Sequence, residues 1–595
     1  MLRSRIWDTA QRRDCLIPQA GIASLQALSL NPNGMAEKGL RSGGWLAMAL
    51  VFLAGLLVFL PGAAGNFIYD DIVDIRNTDD VFIPGAWPKL FLETASRLYR
   101  PVKFLAFYLD NRLFGWQPCG WHWQSFLWHA LNCVLVYLLA RRLSCSLAGA
   151  ALGGLWFALH PIHTEAVVWI SSVSSLLSTF GILAMILSYD HWRPRPSGWA
   201  AAGLLGGAFI GVFSKEDALM IFPLLALYEW FVHGETPVVW LRKKALLAPL
   251  LLLGAVAVVY LALRQSLISG FNQGQRPTGL AGWLSTFPVI VLTDLWQLIW
   301  PDPMCVDQPV NYDAGFGPAF WLSLLVLVGG AIFLLVRRPA WSRWQFAVAF
   351  FGISLIPVLG FIPINQPRAD RFLYLPSVAG ALAVGWLWDW AATRPRWRTA
   401  CAAFLAASLF WFGWRSWDYS KTFLNDTVLW ENVISVNPAS YRAFGNLAAE
   451  ANNQGQPQKA LALVEKSLAV KPDYVEGWVI KAYSLELLGR SAEAAALYRQ
   501  AIATGGEDPR WLYLLADLLQ REKQYASAEQ LYDRIAQIRP GYAEARLAAG
   551  LLALQMGEGD KAEAHFAAVL RADPGNQTAR DCLNALHRRK RGAGS

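Results

Sequence analysis

The apolar positions fall into two regimes. Between residues 43 and 415 they run in near-continuous stretches, many close to the roughly 20 residues a helix needs to cross about 30 Å of hydrocarbon. Between 421 and 595 they recur at helical spacing among charged residues, the pattern of amphipathic helices around a soluble core. The first regime predicts spans at 43–62, 124–140, 146–160, 165–188, 199–213, 217–232, 245–263, 319–336, 345–361, 372–390 and 399–414. Several are short, which a large bundle tolerates. A further apolar stretch, 280–300, carries Pro288 and Asp294 and does not read cleanly as a span. Residues 1–42 are polar and mixed, without the layout of a cleavable signal peptide. They are expected to form a disordered cytoplasmic tail, with 43–62 as a retained anchor.

The second regime repeats with a period of 34. Ala448, Ala482, Ala516 and Gly550 share one position, and Ala460, Ala494, Ala528 and Ala562 another. Pro438, Pro472, Pro540 and Pro574 share a third, where Gly506 replaces the proline of one unit. Gly455, Gly489 and Gly557 mark an internal turn, with Lys523 at the equivalent place. Small residues let paired helices approach, and proline ends the second helix because it cannot donate the i→i−4 bond. This is the tetratricopeptide pattern, whose units stack into a superhelix with a concave groove. Repeats are expected over about 440–574, a capping helix over 576–591, and half of an earlier unit over 421–437 that joins the bundle rigidly. The fold class is therefore all-α: a polytopic membrane helix bundle of about 11 spans (43–420), followed by a tetratricopeptide-repeat solenoid (421–595).

Charge sets the topology. The chain is 55% hydrophobic and only 16% charged, against about 25% charged in ordinary soluble domains, and its formal net charge is +9. The basic residues cluster between apolar spans, so the charge points to membrane orientation and not to a nucleic-acid partner. Arg141 and Arg142, Arg193 and Arg195, Arg242 with Lys243 and Lys244, Arg337 with Arg338 and Arg343, and Arg394 with Arg396 and Arg398 fall in alternate loops. Arg3, Arg5, Arg12 and Arg13 share their side. All are cytoplasmic if 280–300 is a re-entrant or interfacial helix. Eleven crossings then place the solenoid in the periplasm or its equivalent, at the outer face of an inner membrane. The tail Arg588-Arg589-Lys590-Arg591 reads as a solvated helix end.

The loops on the outer side, 63–123, 160–165, 214–217, 264–318 and 362–371, hold most residues suited to chemistry. Asp70 and Asp71 follow the first span; adjacent carboxylates diverge by about 100° on a helix, which suggests divided roles. One would be a general base for a hydroxyl, the other would bind sugar, acceptor or a cation; capping of a short helix is the bland alternative. Arg100, Lys215 and Arg371 are the candidate cations for a phosphate. Lys215 pairing only with Glu216 or Asp217, and Arg100 anchoring only at headgroups, are their plain alternatives. His160, His163 and Glu165 join two spans and, with Glu216 and Tyr374, are expected to line the site. The proline between the histidines makes a turn, and structural hydrogen bonding is favoured over a metal, so no metal site is expected. His129, on an apolar face, reads as a core histidine, and no one tryptophan, Trp169 included, stands out as a sugar platform. Seven cysteines include no CxxC pair; Cys119 and Cys305 fall in outer loops, where a disulfide is permitted.

A glycosyl phosphate donor fits this kit. Its phosphate leaves without protonation if cations meet the developing charge, so one carboxylate base suffices and the anomeric centre inverts.

Asp70-Asp71, Arg100-Pro101, Gly115, His122, His129, the run 160–165, Ser214-Lys215-Glu216 and the run 371–377 occur in that order ahead of the repeats. Together they resemble the transmembrane and tetratricopeptide-repeat O-mannosyltransferases and their bacterial relatives, over roughly residues 44–575. The resemblance implies a C-type glycosyltransferase fold, a polyprenyl- or dolichyl-phosphate sugar donor, and transfer to Ser or Thr of a protein. Asp70 and Asp71 match that family's acidic pair, and Arg371 an arginine beside the outer mouth. The chain departs from it after residue 165. It reads Ser171-Ser172-Val173-Ser174-Ser175 where the family usually carries an Arg-Asp pair.

Three functional readings follow. The first is a lipid-linked-sugar transferase acting on a protein captured by the repeats. The second is a glycan- or lipid-modifying transferase of an envelope polysaccharide pathway, and the third a non-catalytic membrane-anchored scaffold. The partners implied are membrane lipid, a polyprenyl-phosphate sugar as donor substrate, and a protein or peptide in the repeat groove. No cofactor is firmly implied.

Overall fold

The computed structural model describes residues 43–76, 85, 87–92, 99–234, 244–268, 279–310, 315–336, 343–360, 366, 368–539, 542–572 and 575–592. Arg3, Arg5, Arg12, Arg13, Arg242, Lys243, Arg337, Arg338, Pro540 and Pro574 lie outside them. Two contact units are distinguished, residues 1–50 and 51–595, and everything that follows on packing concerns the second.

Among the described residues there is no strand, and every stretch read as a span contains a helix. After α1 (Trp45–Leu57), the first long loop holds the short α2 (Asp70–Arg76) and α3 (Pro101–Phe114). Then come α4 (Pro118–Arg142), α5 (Leu147–Leu159), the five-residue α6 (Thr164–Val168) and α7 (Val173–Trp192). The bundle continues with α8 (Gly198–Val212), α9 (Ile221–His233), α10 (Lys244–Leu267), α11 (Gly279–Gln297), α12 (Pro318–Leu335), α13 (Arg343–Leu355), α14 (Ser377–Ala392) and α15 (Pro395–Tyr419). Proline opens α3, α4, α12 and α15 at the first helical position, where its missing N–H leaves no broken bond.

Among the described residues five helical stretches are long and apolar enough to cross a membrane by length and composition: Trp45–Ala64, Pro118–Arg142, Ile170–Trp192, Leu247–Leu267 and Pro318–Leu335. The chain is a membrane protein, and shorter apolar helices such as α5, α8 and α13 complete its bundle. Close approach between helices uses glycine, as expected where lipid supplies no hydrophobic drive. A Cβ on Gly181 of α7 would stand 2.5 Å from the Gly207 carbonyl of α8, and one on Gly153 of α5 would run into the Ala381 carbonyl of α14.

Helix α7 works as a ruler for the two ends of the bundle. Just before it, the Ser171 amide binds Asp71. Near its far end Asp190 takes the Arg142 guanidinium and the Tyr228 hydroxyl, and Glu229 takes Arg193 at 2.7 Å and Tyr189 at 2.9 Å. At 1.5 Å per residue the two ends lie about 30 Å apart. The loop arginines Arg142 and Arg193 and the acidic pair are thus at opposite ends.

Helix α11 fills the ambiguous stretch. Near its start the Trp283 indole donates to the Leu359 carbonyl at 2.7 Å, and near its end Asp294 pairs with Arg368 at 2.9 Å. The Leu298 carbonyl just beyond it meets His160 at 3.1 Å. Both of its ends are therefore tied to the chain between α13 and α14.

The solenoid begins with α16 (Asp426–Val436), joined to α15 by a single 3-10 turn, Ser420–Phe423. Four helix pairs follow: α17 (Tyr441–Asn453) with α18 (Pro457–Val470), α19 (Val475–Leu487) with α20 (Ser491–Gly505), α21 (Pro509–Arg521) with α22 (Tyr525–Ile538), and α23 (Ala543–Gln555) with α24 (Gly559–Ala572). Helix α25 (Gln577–Gly592) caps the stack. The repeat-position alanines, from Ala448 to Ala562, are completely buried, and Gly550 sits against the Phe566 ring. The turn glycines 455, 489 and 557 adopt φ of +71°, +77° and +80°. Lys523 is forced into the same left-handed region at +62°, where a Cβ is unfavourable.

Candidate active site

The acidic pair opens α2, and its two members have different surroundings. Asp71 is fully buried. Its Oδ1 accepts the Ser171 amide at 2.7 Å and its Oδ2 the Ile68 amide at 3.2 Å. Burial pushes its pKa up to about 7 against the hydrogen bonds from Ser171 and Ile68. Asp71 therefore staples the start of α2 to the turn ahead of α7. Asp70 is only partly buried, and among the described residues its carboxylate makes no hydrogen bond or ion pair. Burial and then the Asp74 carboxylate push its pKa up to about 6, while Lys103, Arg371 and Arg442 pull it down. Lys103, on α3, is itself paired with Asp74.

The segment leading into α2 is clasped by the root of the solenoid. The Asn66 amide donates to the Leu424 carbonyl at 3.0 Å, and the Tyr69 amide to Asp426 at 3.0 Å. The Tyr69 ring lies between Trp169 and Trp430, with centroids 5.6 and 4.9 Å away. From the segment between α11 and α12 Asp307 binds Ser440 at 2.6 Å and Arg442 at 3.1 Å, and its carbonyl accepts Asn437 at 3.1 Å. The mouth of the bundle that carries the acidic pair is thus the end that carries the repeats.

Arg371 is held by three kinds of contact. The fully buried Glu165 accepts from its guanidinium and, at 2.9 Å, from its backbone amide. Gln366 accepts at 2.7 Å, and the plane lies 5.0 Å from both the Trp169 and Phe372 rings. Trp169 consequently links Arg371 to Tyr69 and so to Asp70. Arg100 and Glu216 pair at 3.0 Å. Burial alone would raise the Glu216 pKa, but the Arg100 guanidinium more than offsets it and holds it below the usual carboxylate value. Lys215 pairs with Asp217 at 3.0 Å, donates to Ser175 at 3.1 Å and lies 5.8 Å from the Phe372 ring. The serine run after residue 170 thus serves both sides, with Ser171 on Asp71 and Ser175 on Lys215.

Three residues expected to line the site do not. His160 is fully buried and uses its ring nitrogens on the Leu298 carbonyl and the Ile162 amide. His163 is fully buried against Ser377 at 2.8 Å. The Tyr374 hydroxyl is buried between His129 at 2.7 Å and Asn132 at 3.2 Å. They tie α4, α5 and α14 together inside the bundle, because each finds an interior partner that local sequence does not reveal. His129 is the core histidine its apolar face suggested. Among the described residues no group of three His, Cys, Asp or Glu is placed to hold a metal, and Cys119 and Cys305 are free thiols. Sequence reasoning missed Tyr69, Lys103, Asp307, Asp426 and Arg442. Lys103 carried a signal, one turn after Arg100 on a proline-started helix; Asp426 and Arg442 carried none near the site.

Together the parts make a carboxylate with an open coordination sphere, an aromatic wall, and cations on several sides of one mouth. That is a site able to take a proton from a hydroxyl beside an anionic ligand. The class so defined is a membrane protein whose acidic mouth loop is built into the root of a repeat solenoid.

Tetratricopeptide-repeat family models match residues 446–509, 488–543 and 519–583. Over most of its length the chain is similar to proteins named protein O-mannosyl-transferase. It is 24% identical to TMTC3 of Mus musculus over 578 residues, covering 86% of this chain and 62% of that protein. It is 23% identical to Tmtc3 of Drosophila melanogaster over 546 residues, covering 77% and 58%, and 24% identical to TMTC1 of Homo sapiens over 492 residues, covering 72% and 55%. The chain spans about three-fifths of the length of these curated relatives.

Proposed function

We propose that the protein is a membrane glycosyltransferase that moves a sugar, mannose as in the names of its relatives, from a polyprenyl-phosphate donor to a protein hydroxyl at the outer face. The observation that carries this reading is the Asp70 carboxylate, partly exposed and free of hydrogen bonds among the described residues, on a loop that Asp71 locks in place. In the reaction Asp70 takes the proton of the acceptor hydroxyl as its oxygen bonds to the anomeric carbon. The bond from that carbon to phosphate oxygen breaks, and the lipid phosphate leaves with the electron pair, inverting the centre. Arg371 meets the developing negative charge, with Trp169 fixing its plane. Arg100 and Lys215 lie farther round the mouth in pairs with Glu216 and Asp217. Helix α11, tied at both ends beside α13 and α14, lies across that mouth in this reading and does not cross the membrane.

The test is direct. Purified protein in vesicles should transfer labelled mannose from polyprenyl-phosphate mannose to Ser/Thr-rich peptides, with one lipid phosphate released per sugar moved. Labelling confined to lipid or glycan would favour the envelope-pathway reading, and no transfer from any prenyl-phosphate sugar would end both.

A further inference from the structure

Tyr69 adopts φ of +49°, a left-handed backbone conformation that a bulky residue enters only when its surroundings impose it. It immediately precedes Asp70. The groups that impose the conformation come partly from more than 350 positions away. The Asp426 carboxylate, in the first turn of α16, accepts the Tyr69 amide at 3.0 Å. Trp430, one turn later on the same helix, meets the Tyr69 ring edge-on at 4.9 Å, and Trp169 covers its other side. On the far side of Asp70, Asp71 fixes the chain through Ser171. Among the described residues Asp70 is thus the unbonded link between two anchored neighbours, one fastened to the bundle and the other to the solenoid.

We propose that Asp426 is a positioning residue for Asp70: by accepting the Tyr69 amide it holds the strained turn that presents the carboxylate to the acceptor. This deepens the transferase reading and rests on it. It also makes the foot of the solenoid a part of the catalytic unit, so that strain applied to α16 by a protein held in the repeat groove reaches the base through one hydrogen bond and one ring contact. The charged groups around Asp70 are Asp74 of α2, Lys103 of α3, Arg371 ahead of α14 and Arg442 of α17, with the Tyr69 phenol beside it. None of these side chains is itself replaced by a substitution at Asp426.

The test uses the full chain in vesicles. Asp426→Ala should lower kcat at least tenfold and leave KM for the lipid donor within twofold. It should also move the acidic limb of the kcat profile from near pH 6 toward the ordinary carboxylate value, as the released turn opens to water. Asp426→Asn keeps an accepting oxygen and should stay within threefold of the parent with the limb unmoved. If Asp426→Ala does not fold, Asp426→Ser, too short to reach the amide, replaces it. A folded Asp426→Ala or Asp426→Ser with parental kcat and pH profile overturns the proposal. A second readout needs no catalysis. With cysteine placed at position 70, Asp426→Ala should speed its alkylation several-fold, and an unchanged rate overturns the inference even if the protein proves not to be a transferase. A parent chain that transfers no sugar, with accelerated alkylation, instead overturns only the proposed function.

Discussion

Asp70→Asn is expected to lower sugar transfer by about 10²–10⁴-fold, the range a positioned general base contributes, with donor binding within a factor of two. The amide keeps the size of the side chain but cannot take the proton. The parent protein should gain transfer activity as pH rises through about 6, because burial and the Asp74 carboxylate raise the value at which Asp70 becomes a base. Initial rates from pH 4.5 to 8.5 at saturating donor check this. A limb near pH 4, or a residual rate above a tenth in Asp70→Asn, would remove Asp70 from the mechanism. Its neighbour behaves differently. Asp71 is raised to about 7 by burial, so in the folded protein it binds a proton that the unfolded chain has released. Its contribution to stability is full below about pH 4 and is lost as pH rises through about 7. Asp71→Asn should therefore flatten the fall in melting temperature over that window, and more than Asp70→Asn does, because the Asp70 value is raised in the same sense but only to about 6.

Glu165→Ala should be the most destabilising single change at the mouth. Its carboxylate is fully buried and holds both the Arg371 guanidinium and the Arg371 amide. Truncating one partner of such a pair costs about 3–5 kcal/mol when the other stays buried. Arg371 keeps 17% exposure and the Gln366 and Trp169 contacts, so the low end, about 3 kcal/mol, is expected. Donor affinity should fall with it, since the guanidinium loses its orientation. Unfolding of Glu165→Ala, Arg371→Ala and the double variant measures the coupling. A double variant as unstable as the two losses added together would show that the pair does not act as a unit.

Much of this architecture could be read along the chain. Each apolar run read as a span contains a helix, whereas α2, α3 and α11 lie outside those runs. The 34-residue grid marked the stretch that holds four helix pairs, because small residues, turn glycines and prolines act within a single unit. It even marked the irregular places: Gly506 ends α20 at φ +93° where a proline was missing, and Lys523 carries the strain that glycine avoids elsewhere. The acidic pair was legible as a pair, since its position after an apolar span depends on nothing remote. The Lys215–Asp217 pair was legible as a local option, whereas the pairing of Arg100 with Glu216 spans more than 100 residues and was not.

What the residues alone determined, then, is periodicity: which stretches are helical, which face of each is apolar, and where charge gathers. Such properties arise from neighbours within a few turns, so they survive without knowledge of the fold. The tertiary structure decided accessibility and partnership. It took His160, His163 and Tyr374 into the bundle interior, made Asp71 a fastener and Asp70 the open carboxylate, and brought Asp426 from the solenoid onto the Tyr69 amide. Two adjacent aspartates have the same chemistry until the distant Ser171 amide reaches one and not the other, and that amide is delivered only by packing the turn ahead of α7 against the loop.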